Sequence, residues 1–492
     1  MGEKIKVDEH ITLERVAPYV WEVAQQGDML VPGRIYGDRA IIDHLIGDVR
    51  KGKQWNALEQ IVNVACLPGI QSASLAMADV HPGYGFPIGG VGAFDPDTGV
   101  ISVAGVGFDI NCGVRTLRTS LEEADIEPKK TELADALYRT VPAGLGSTGD
   151  IRLSIKEIDQ VLMKGARFST ERGYGFPEDL EYIEDGGCLQ GANPAHVSQK
   201  AKQRQLKQVG TLGSGNHYCE VQIVEEIYAL EVAEVYGLFP GQVLISIHSG
   251  SRALGHQIGT DYLPFLEKSS KKYGIPIRER ELVCAPFKSP EGQQYFAAMK
   301  AGANCAYANR QALAHLVRQA FKKTLGTKQR EIETLYEVPH NIAKLEKHVV
   351  DGVERELIVH RKGATRAFGP GRPELPAAYR AVGQPVLVGG TMGTHSYILT
   401  GTKRGMEETF GSALHGAGRA LSRRQAKKRF WGGDVIEELA ARGIIIRAHS
   451  KAGVAEEAPG AYKDVLQVVE VMHNAGVVRK VALLRPVICV KG

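Results

Sequence analysis

Apolar positions along the chain follow two different periods, which predict a mixture of helices and strands. Charged stretches with apolar residues at helical spacing predict helices at about 120–140, 195–208, 291–325 and 421–442. Short apolar runs bounded by turn residues predict buried strands at 242–248, 385–388 and 485–492. The pattern in residues 1–60 predicts an amphipathic N-terminal segment that is either mostly helical or a mixture of helix and strand.

The order of these elements indicates an α+β fold. Strands and helices do not alternate regularly, as they would in a doubly wound or barrel fold. The sequence contains no GxGxxG that opens a helix, and no GxxxxGK followed by Ser or Thr. Since no repeat or low-complexity linker divides the chain, we expect a single domain over residues 1–492.

Composition and charge narrow the class of protein only slightly. The apolar fraction of 43% and the charged fraction of 24% are those of an ordinary globular protein with a large core. The 57 glycines exceed the usual share, which indicates many tight turns and close ligand contacts. A formal net charge of +4 neither requires nor excludes a nucleic-acid partner, so any basic surface must be local.

Seven scattered cysteines without a CxxC pair indicate reduced thiols in a reducing compartment. Five of them are interpreted as plain core thiols: Cys66, Cys219, Cys284, Cys305 and Cys489. The sequence after Met1 has no apolar signal region, and no apolar run is long enough to span a bilayer. We therefore expect a cytoplasmic protein.

Four loops place metal-type ligands directly after apolar runs. The ligands are Asp109 and Cys112 in the first loop, followed by His217, His248 and His340. A carboxylate, a thiolate and three imidazoles can hold one or two divalent ions, and a thiolate can bridge two metals. A Cys/His site suits zinc, whereas Asp109 and a phosphate substrate suit manganese, and the spacing leaves both open. The alternative is a set of satisfied loop histidines and one buried cysteine.

Two glycine-rich segments each have two interpretations. In the functional interpretation of residues 78–90, Asp79 and His81 orient metal ligands or touch the substrate. In the other interpretation, the segment is a structural loop. In 388–397, glycines would let backbone amides approach a phosphate or a base, or they form a strand-to-strand turn in which His395 is incidental.

The segment 413–419 places His415 between small residues, where backbone can approach a phosphate closely. A histidine in such a loop indicates a nucleophile that accepts a phosphoryl or nucleotidyl group, and the alternative is a glycine turn. The metal-type loops favour the nucleophile, because they supply what attack at phosphorus requires. The basic run 422–431, which includes two aromatic residues, suits a nucleic-acid backbone or a solvated helix face.

Seven motifs follow one another along the chain, starting at Asp79 (DVHPGYGFPIG), Gly107 (GFDINCGVR), Gly213 (GSGNH), His248 (HSGSR), His340 (HN), Gly390 (GTMGT) and His415 (HGAGR). They occur in the order found in the RtcB-type RNA ligases, the tRNA-splicing ligases that use a 3′-phosphate, so the chain resembles that family. The resemblance extends from about residue 28 to Lys491. It implies a single α+β domain in which mixed sheets form a central cleft with helices around it.

The resemblance also implies a reaction, the GTP- and Mn²⁺-dependent joining of RNA ends. A 2′,3′-cyclic phosphate or 3′-phosphate end would be joined to a 5′-hydroxyl end. His415 would become a guanylylated histidine, and the guanylate would pass to the RNA 3′-phosphate before the 5′-hydroxyl displaces GMP. One ion would be held by Asp109, Cys112 and His217, and the second by Cys112, His248 and His340, with Cys112 bridging. The implied guanylate pocket comprises Asn216, His217, Tyr218, Cys219, Glu220, His340, Asn341, Gly389, Gly390, Thr391, Met392, Ser396, Ala413, Leu414, His415, Gly416 and Lys491.

The expected partners are RNA, as tRNA halves or another cleaved RNA, and GTP. Whether the protein needs an archease-type activator is left open. We expect the protein to be a monomer. Arg204, Arg252 and Arg419 are candidates for contacts with RNA phosphates. A metallophosphoesterase that uses the same cluster only for hydrolysis is a second hypothesis, and it would need neither His415 nor Lys491. A non-catalytic RNA-binding protein is a third.

Two positions depart from the family's pattern. His395 stands beside the guanylate loop where a small residue is expected, and Arg372 follows Pro-Gly where histidine is common. Both departures concern details of the pocket, because neither residue is an expected metal ligand or the nucleophile.

Overall fold

Strand pairing, mostly antiparallel, builds the framework of the protein as two eight-stranded sheets and two small two-stranded ones. The computed structural model describes residues 2–492. The strands are β1 (Lys4–Lys6), β2 (Thr12–Ala17), β3 (Val20–Val23), β4 (Gly33–Tyr36), β5 (Ser74–His81), β6 (Ile88–Phe94), β7 (Val100–Ser102), β8 (Gly113–Glu122), β9 (Tyr218–Ile227), β10 (Gln242–Ser249), β11 (Cys284–Pro286), β12 (Glu333–Pro339), β13 (Asn341–Val350), β14 (Val353–Lys362), β15 (Ala364–Arg366), β16 (Pro385–Val388), β17 (Ser396–Gly401), β18 (Ser412–Leu414), β19 (Ile445–Ala448) and β20 (Val478–Lys491). The α-helices are α1 (Arg39–Arg50), α2 (Ala57–Ala65), α3 (Glu123–Ile126), α4 (Lys130–Thr140), α5 (Ile155–Lys164), α6 (Ala166–Glu171), α7 (Gln199–Gln205), α8 (Leu230–Tyr236), α9 (Arg252–Lys272), α10 (Pro290–Leu325), α11 (Lys403–Glu408), α12 (Arg423–Arg429), α13 (Gly432–Ala441), α14 (Lys451–Glu456) and α15 (Val465–Asn474).

The first large sheet has the order β1-β2-β3-β4-β5-β6-β14-β13, and the second has the order β12-β8-β10-β9-β20-β17-β16, with β19 added on β20. The last strand lies inside the second sheet. It pairs with β9 along one edge, and along its other edge with β17 over its first half and β19 over its end. The second sheet is therefore complete only when β20 is in place.

The longest helix, α10, passes through the interior of the protein. Its sequence is rich in small residues, and most of its positions are buried, including the polar Asn304, Asn309 and Arg310. The Ser289 hydroxyl accepts the backbone N–H of Gly292 at the start of the helix, and Gly326 ends the helix with a φ of +77°. These caps explain why the helix predicted at 291–325 is confirmed almost to the residue.

The other predicted elements are also found. The predicted strands coincide with β10, β16 and the end of β20, and the predicted helices with α3 and α4, with α7, and with α12 and α13. The helix predicted at 421–442 is divided in two, because Phe430 and Trp431 adopt extended backbone conformations that end α12 and start α13.

The N-terminal prediction is half right. The mostly helical alternative for residues 1–60 is wrong, since β1 to β4 precede α1 and α2. These four strands are only three to six residues long. Their pairing with one another and with β5 decides their conformation, and such pairing is not visible in a short sequence window.

The chain crosses from the second large sheet to the first at His340, the single residue between β12 and β13. Asp79 lies on β5 of the first sheet, whereas Tyr218 and His248 lie on β9 and β10 of the second. Side chains from both sheets line one cleft. The predicted α+β fold with a cleft between mixed sheets is confirmed, and the domain extent of 1–492 stays a prediction. Among residues 2–492, no helix is both long enough and apolar enough to cross a membrane.

Candidate functional site

Four connections that end or begin a strand carry the predicted metal ligands. Asp109 and Cys112 lie in the loop before β8, and His217 directly precedes β9. His248 is the penultimate residue of β10. The loop before β8 is tied to the crossing point of the sheets, because His340 N–H donates to the Cys112 carbonyl at 2.8 Å.

The five ligands converge as two triads that share Cys112. One triad is Asp109, Cys112 and His217, and the other is Cys112, His248 and His340, with the ligand atoms of each within 4.8 Å of one another. Cys112 Sγ lies 3.3 Å from His217 Nε2 and 3.2 Å from His248 Nε2. His248 Nε2 in turn lies 3.2 Å from His340 Nε2.

Backbone carbonyls orient two of these imidazoles. His217 Nδ1 lies 2.9 Å from the Leu212 carbonyl, and His248 Nδ1 lies 3.1 Å from the Asn216 carbonyl. A carbonyl only accepts, so each Nδ1 carries the proton and each Nε2 presents a lone pair to the cluster. This arrangement is typical of histidines that ligate a metal through Nε2.

The electrostatics of the cluster fit a cation. Burial lowers the pKa of His248 and of His340 well below the ordinary value, so both imidazoles are neutral ligands. Burial, and next the Asp109 carboxylate, raise the pKa of the Cys112 thiol. A cation held between these nitrogen, sulfur and oxygen atoms would be bound by their lone pairs. The residues present therefore fit one or two bound divalent ions.

His415 lies beside the second triad and is held by one carboxylate. The Asp79 Oδ2 atom accepts from the His415 backbone N–H at 3.0 Å and from Nδ1 at 2.7 Å. The ring of His415 lies 4.7 Å from that of His340, centroid to centroid. Because Nδ1 donates to Asp79, Nε2 is the nitrogen with a free lone pair. Of the two interpretations of Asp79, this contact favours the orienting one, although the residue it orients is His415 and not a metal ligand.

The cleft beside these residues has a volume of about 280 Å³. Backbone pairing between Gly389 and Gly416 brings the two glycine-rich loops together along its wall. The predicted site residues that line the cleft are Asp109, Cys112, Asn216, Tyr218, His248, His340, Asn341, Gly389, Gly390, Thr391, His415, Gly416, Lys491 and Arg419.

Other predicted pocket residues do not line the cleft: His217, Cys219, Glu220, Met392, Ser396, Ala413 and Leu414. Cys219 faces away because strand residues alternate, and it packs with Val221 and Ile223 on the other face of β9. The Ser396 hydroxyl accepts the Gly390 N–H at 3.1 Å, so it supports the glycine loop from behind. Burial raises the pKa of Glu220, which lies on the same face of β9 as Tyr218, to about 7.

The three predicted RNA-binding arginines have different environments. Arg204 is exposed and donates to Gln257 at 2.8 Å. Arg252 is partly buried and donates to the Thr211 hydroxyl at 3.0 Å. Arg419 donates to a Glu457 oxygen at 3.2 Å and to the Tyr462 hydroxyl at 3.0 Å, so its charge is already paired inside the protein.

Several residues in the lining had not been singled out from the sequence: Tyr84, Phe108, Lys362, Arg423, Glu457 and Tyr462. Tyr84 and Phe108 lie inside quoted motifs, and Arg423 lies in the basic run, so their segments were visible but their positions were not. Glu457 and Tyr462 carried no signal, because they lie outside every motif and only the fold brings them to the cleft, where both contact Arg419.

Two sequence departures and the cysteines have plain structural roles. His395 pairs with Glu225 at 2.7 Å on the outside of the glycine loop, and Arg372 pairs with Glu374.

Four of the cysteines predicted to be core thiols are buried: Cys219, Cys284, Cys305 and Cys489. Cys66 is only half-buried, because it caps the end of α2.

Comparison with known proteins gives one consistent result. A family model described as tRNA-splicing ligase RtcB matches residues 60–492. The tRNA-splicing ligase RtcB of Thermococcus kodakarensis is 53% identical over 487 residues, which cover 98% of this chain and 100% of the relative. Those of Methanococcus maripaludis and Archaeoglobus fulgidus are 50% and 51% identical over 98% of this chain and 99% of each relative.

Fold and site together define the class of this protein as an enzyme, with a shared Asp/Cys/His centre in the cleft between two sheets. The relatives match it from end to end at about half of all positions. The chain belongs to the tRNA-splicing ligase RtcB family.

Proposed function

We propose that the protein is a GTP-dependent RNA ligase that carries guanylate on His415 Nε2. It would join a 2′,3′-cyclic phosphate or 3′-phosphate end to a 5′-hydroxyl end. The observation that carries this proposal is the double contact of Asp79 with His415, which holds the proton on Nδ1 and leaves Nε2 free beside the ligand cluster. A hydrolase that used the same cluster would have no need of an oriented histidine at this place.

In the first step, the Nε2 lone pair of His415 attacks the α-phosphorus of GTP. An N–P bond forms, and the bond to the bridging oxygen breaks, so that pyrophosphate leaves with the electron pair. The imidazole ring gains positive charge as this bond forms, and the Asp79 carboxylate stabilises that charge while Nδ1 keeps its proton.

In the second step, an RNA 3′-phosphate oxygen attacks the same phosphorus, and the N–P electron pair returns to Nε2. The 5′-hydroxyl oxygen then attacks the RNA 3′-phosphorus and loses its proton, and GMP leaves. A cyclic phosphate is first opened by a water oxygen that adds to phosphorus and displaces the 2′-oxygen. Each step is an attack at phosphorus, so positioning carries much of the catalysis.

The metals that fit this chemistry are two Mn²⁺ ions, which neutralise phosphate charge and align the reacting oxygens when bound. Asp109, Cys112 and His217 would hold one, and Cys112, His248 and His340 the other. The oxygen ligand and the phosphate substrate support manganese, whereas the sulfur and nitrogen ligands alone would suit zinc.

The guanylate pocket is formed by the glycine-rich wall and the floor of the cleft. Gly389 and Gly390 present backbone close to His415, since Gly389 N–H donates to the His415 carbonyl at 3.4 Å. Asn216, Tyr218 and Lys491 line the floor. Lys491 supplies positive charge near a nucleotide phosphate, while Glu220 and Ser396 act from behind the wall.

RNA is held by basic side chains around the cleft. Arg204 is exposed, and Arg424, Lys428 and Arg429 on α12 form no ion pair within the described part of the chain. Arg423 at the start of that helix lines the cleft, so α12 extends the basic surface outwards from the site. Arg252 and Arg419 act closer to the reacting groups. The substrate would be tRNA halves or other cleaved RNA, bound by a monomer in the cytoplasm, with an archease-type activator as an optional partner.

One labelling experiment tests the proposal. Wild-type protein is incubated with α-labelled GTP and Mn²⁺, and we expect a covalent label that is labile in acid and stable in base. His415→Ala should carry no label, whereas His395→Ala, whose imidazole lies outside the cleft, should be labelled like the wild type. Opening of a cyclic phosphate by an unlabelled wild-type protein would instead identify a phosphoesterase and overturn the ligase.

A further inference from the structure

Aromatic side chains from three separate segments form a continuous row at the mouth of the cleft. The row runs from Phe108 to Tyr84 to Trp55, with ring centroids 6.1 Å and 5.3 Å apart. His256 on α9 extends it, with its ring 5.5 Å from that of Phe108. We call Trp55, Tyr84 and Phe108 the aromatic ledge. Resting on the proposed function, we propose that the aromatic ledge stacks the bases of an unpaired RNA end while its terminal phosphate lies at His415.

The aromatic ledge leaves the site at the right place for such a strand. Phe108 is adjacent to the ligand Asp109, and both Phe108 and Tyr84 line the cleft. Trp55 lies one ring further out and is not part of the lining. A nucleotide with its phosphate beside the ligand cluster would therefore meet Phe108 and Tyr84 first, and its neighbour would meet Trp55.

The rings of the aromatic ledge are open to a ligand. Trp55 is 46% exposed and Tyr84 is 49% exposed, which is unusual for large aromatic residues. The two ring pairs meet edge to face, at 75° and 85°, so they do not cover their faces by stacking on each other. Exposed aromatic faces that follow one another at this spacing suit nucleobases, since every base has a flat face of its own.

Buried polar contacts hold the middle ring of the aromatic ledge in place from below. On one side of Tyr84, Gln60 bonds both the N–H and the carbonyl of Gly83, at 3.0 and 2.7 Å. On the other side, Gly85 N–H donates to Glu279 at 3.0 Å, and the Tyr84 carbonyl accepts from Lys362 at 2.8 Å. An exposed ring on a backbone fixed this firmly is arranged for binding, because little order must be gained when a ligand arrives.

The charge around the outer ring of the aromatic ledge favours RNA over an apolar protein partner. Residues 50–53, which lie one residue before Trp55, are Arg-Lys-Gly-Lys, and all four are exposed. Lys53 pairs with Asp48, but Lys51 forms no ion pair among residues 2–492. An aromatic face flanked by free cations matches a base and its phosphate, whereas an apolar docking surface would be rimmed with fewer charges.

The proposal is tested with a single-stranded RNA that ends in a 3′-phosphate, a second that begins with a 5′-hydroxyl, and versions of both that lack bases at the three terminal positions. We expect Trp55→Ala and Tyr84→Ala to weaken binding of the normal RNA that ends in a 3′-phosphate at least about tenfold. Trp55→Phe and Tyr84→Phe should restore most of it, since phenyl rings also stack. Tyr138→Ala removes a tyrosine that is 37% exposed outside the aromatic ledge, and it should bind as the wild type does.

Guanylate labelling of His415 separates this proposal from the proposed function. Trp55→Ala, whose ring lies outside the cleft lining, should be labelled at the wild-type rate, because no nucleobase of RNA takes part in that step. Wild-type protein that binds the base-free RNAs as tightly as the normal ones would overturn the proposal, whether or not the variants fold. Variants that join RNA normally and lose only a response to a protein activator would assign the aromatic ledge to that activator instead.

Discussion

The Asp79 carboxylate contacts His415 twice through a single oxygen, although the two residues are 336 positions apart in the sequence. One contact fixes the backbone of the loop and the other fixes the tautomer of the ring. Asp79 thus sets the direction in which Nε2 points and places a carboxylate against the opposite side of the ring.

Asp79→Asn is expected to slow the labelling of His415 by about two orders of magnitude, because an amide keeps the shape and loses the charge. The single-turnover rate with α-labelled GTP measures this. Mn²⁺ binding should be unchanged, since Asp79 belongs to neither triad. Asp97→Asn, at an exposed carboxylate paired with Lys288, is the matched control. A wild-type labelling rate in Asp79→Asn would contradict the orienting role.

Metal stoichiometry tests whether Cys112 is shared between two sites. The wild type should bind two Mn²⁺ ions, and His217→Ala and His340→Ala should each bind one, because each removes a ligand from a single triad. Cys112→Ala should bind none tightly. Equilibrium dialysis followed by metal analysis gives the counts, with Cys284→Ala as a control for loss of a buried thiol elsewhere. Two ions retained by Cys112→Ala would exclude a bridging role.

Gly213→Ala should disrupt the first metal site through backbone crowding. Gly213 has a φ of +102°, and an added Cβ would lie 2.6 Å from His217 Nδ1 and also collide with the Arg252 guanidinium. We expect a loss of stability of about 2 kcal/mol or more and weaker Mn²⁺ binding. Gly173→Ala, at a φ of +82° with open space around it, should cost only the backbone strain of about 1 kcal/mol. Equal effects of the two substitutions on thermal unfolding and on Mn²⁺ binding would rule out crowding at the site.

Glu337→Gln tests the buried ion network behind the ligand loops. Glu337 is fully buried between Arg115 and Arg310. Arg310 Nη1 also donates to the carbonyls of Asn111 and Ser249, at 2.6 and 2.8 Å, and so supports two of the ligand-bearing segments.

Removing the charge of Glu337 leaves two buried guanidinium groups without their shared partner, which should destabilise the protein by about 3–5 kcal/mol. Glu333→Gln, at a carboxylate that is 59% exposed, should cost less than about 1 kcal/mol. Chemical unfolding of both variants provides the comparison. An unchanged free energy of unfolding in Glu337→Gln would show that the network contributes little to stability.

The buried His360 predicts a loss of stability in mild acid. Burial lowers the pKa of His360 from 6.5 to about 3, and Nε2 accepts the Ser102 N–H at 3.2 Å. Below pH 6.5 the unfolded chain therefore binds a proton that the folded protein does not. Stability from this group is complete above pH 6.5 and decreases by about 1.4 kcal/mol per pH unit as the pH falls towards 3.

His360→Gln keeps an acceptor and does not titrate, so its unfolding temperature should depend less on pH between 6.5 and 4.5. The comparison is made with EDTA present in both proteins, which removes the separate effect of protons on metal ligands. Parallel pH profiles for the two proteins would show that His360 does not contribute.

The sequence predicted the regular elements where local signals were strong. The helix α10 has a capping serine, a terminal glycine and a long run of helix-forming residues, so its bounds were nearly right. The strands β1 to β4 have no comparable local signal, because their pairing within the first sheet decides their conformation.

For the site, residue types in motifs were informative and spatial relationships were not. Asp109, Cys112 and the three histidines were found as ligand types, and the structure brings them together. Arg419 and Arg423 both line the cleft and both pair with carboxylates at the end of α14, a relationship that no sequence window contains. The aromatic ledge likewise joins three segments that are distant along the chain.

The position of β20 between β9 and β17 has a consequence for biosynthesis. Lys491 at the end of that strand lines the cleft, and so does His415, which Asp79 holds from the first large sheet. A nascent chain that still lacks β20 has neither a complete second sheet nor the floor of the cleft. The cleft is therefore completed only after β20 has been made and paired, and such long-range pairing makes this folding step slow.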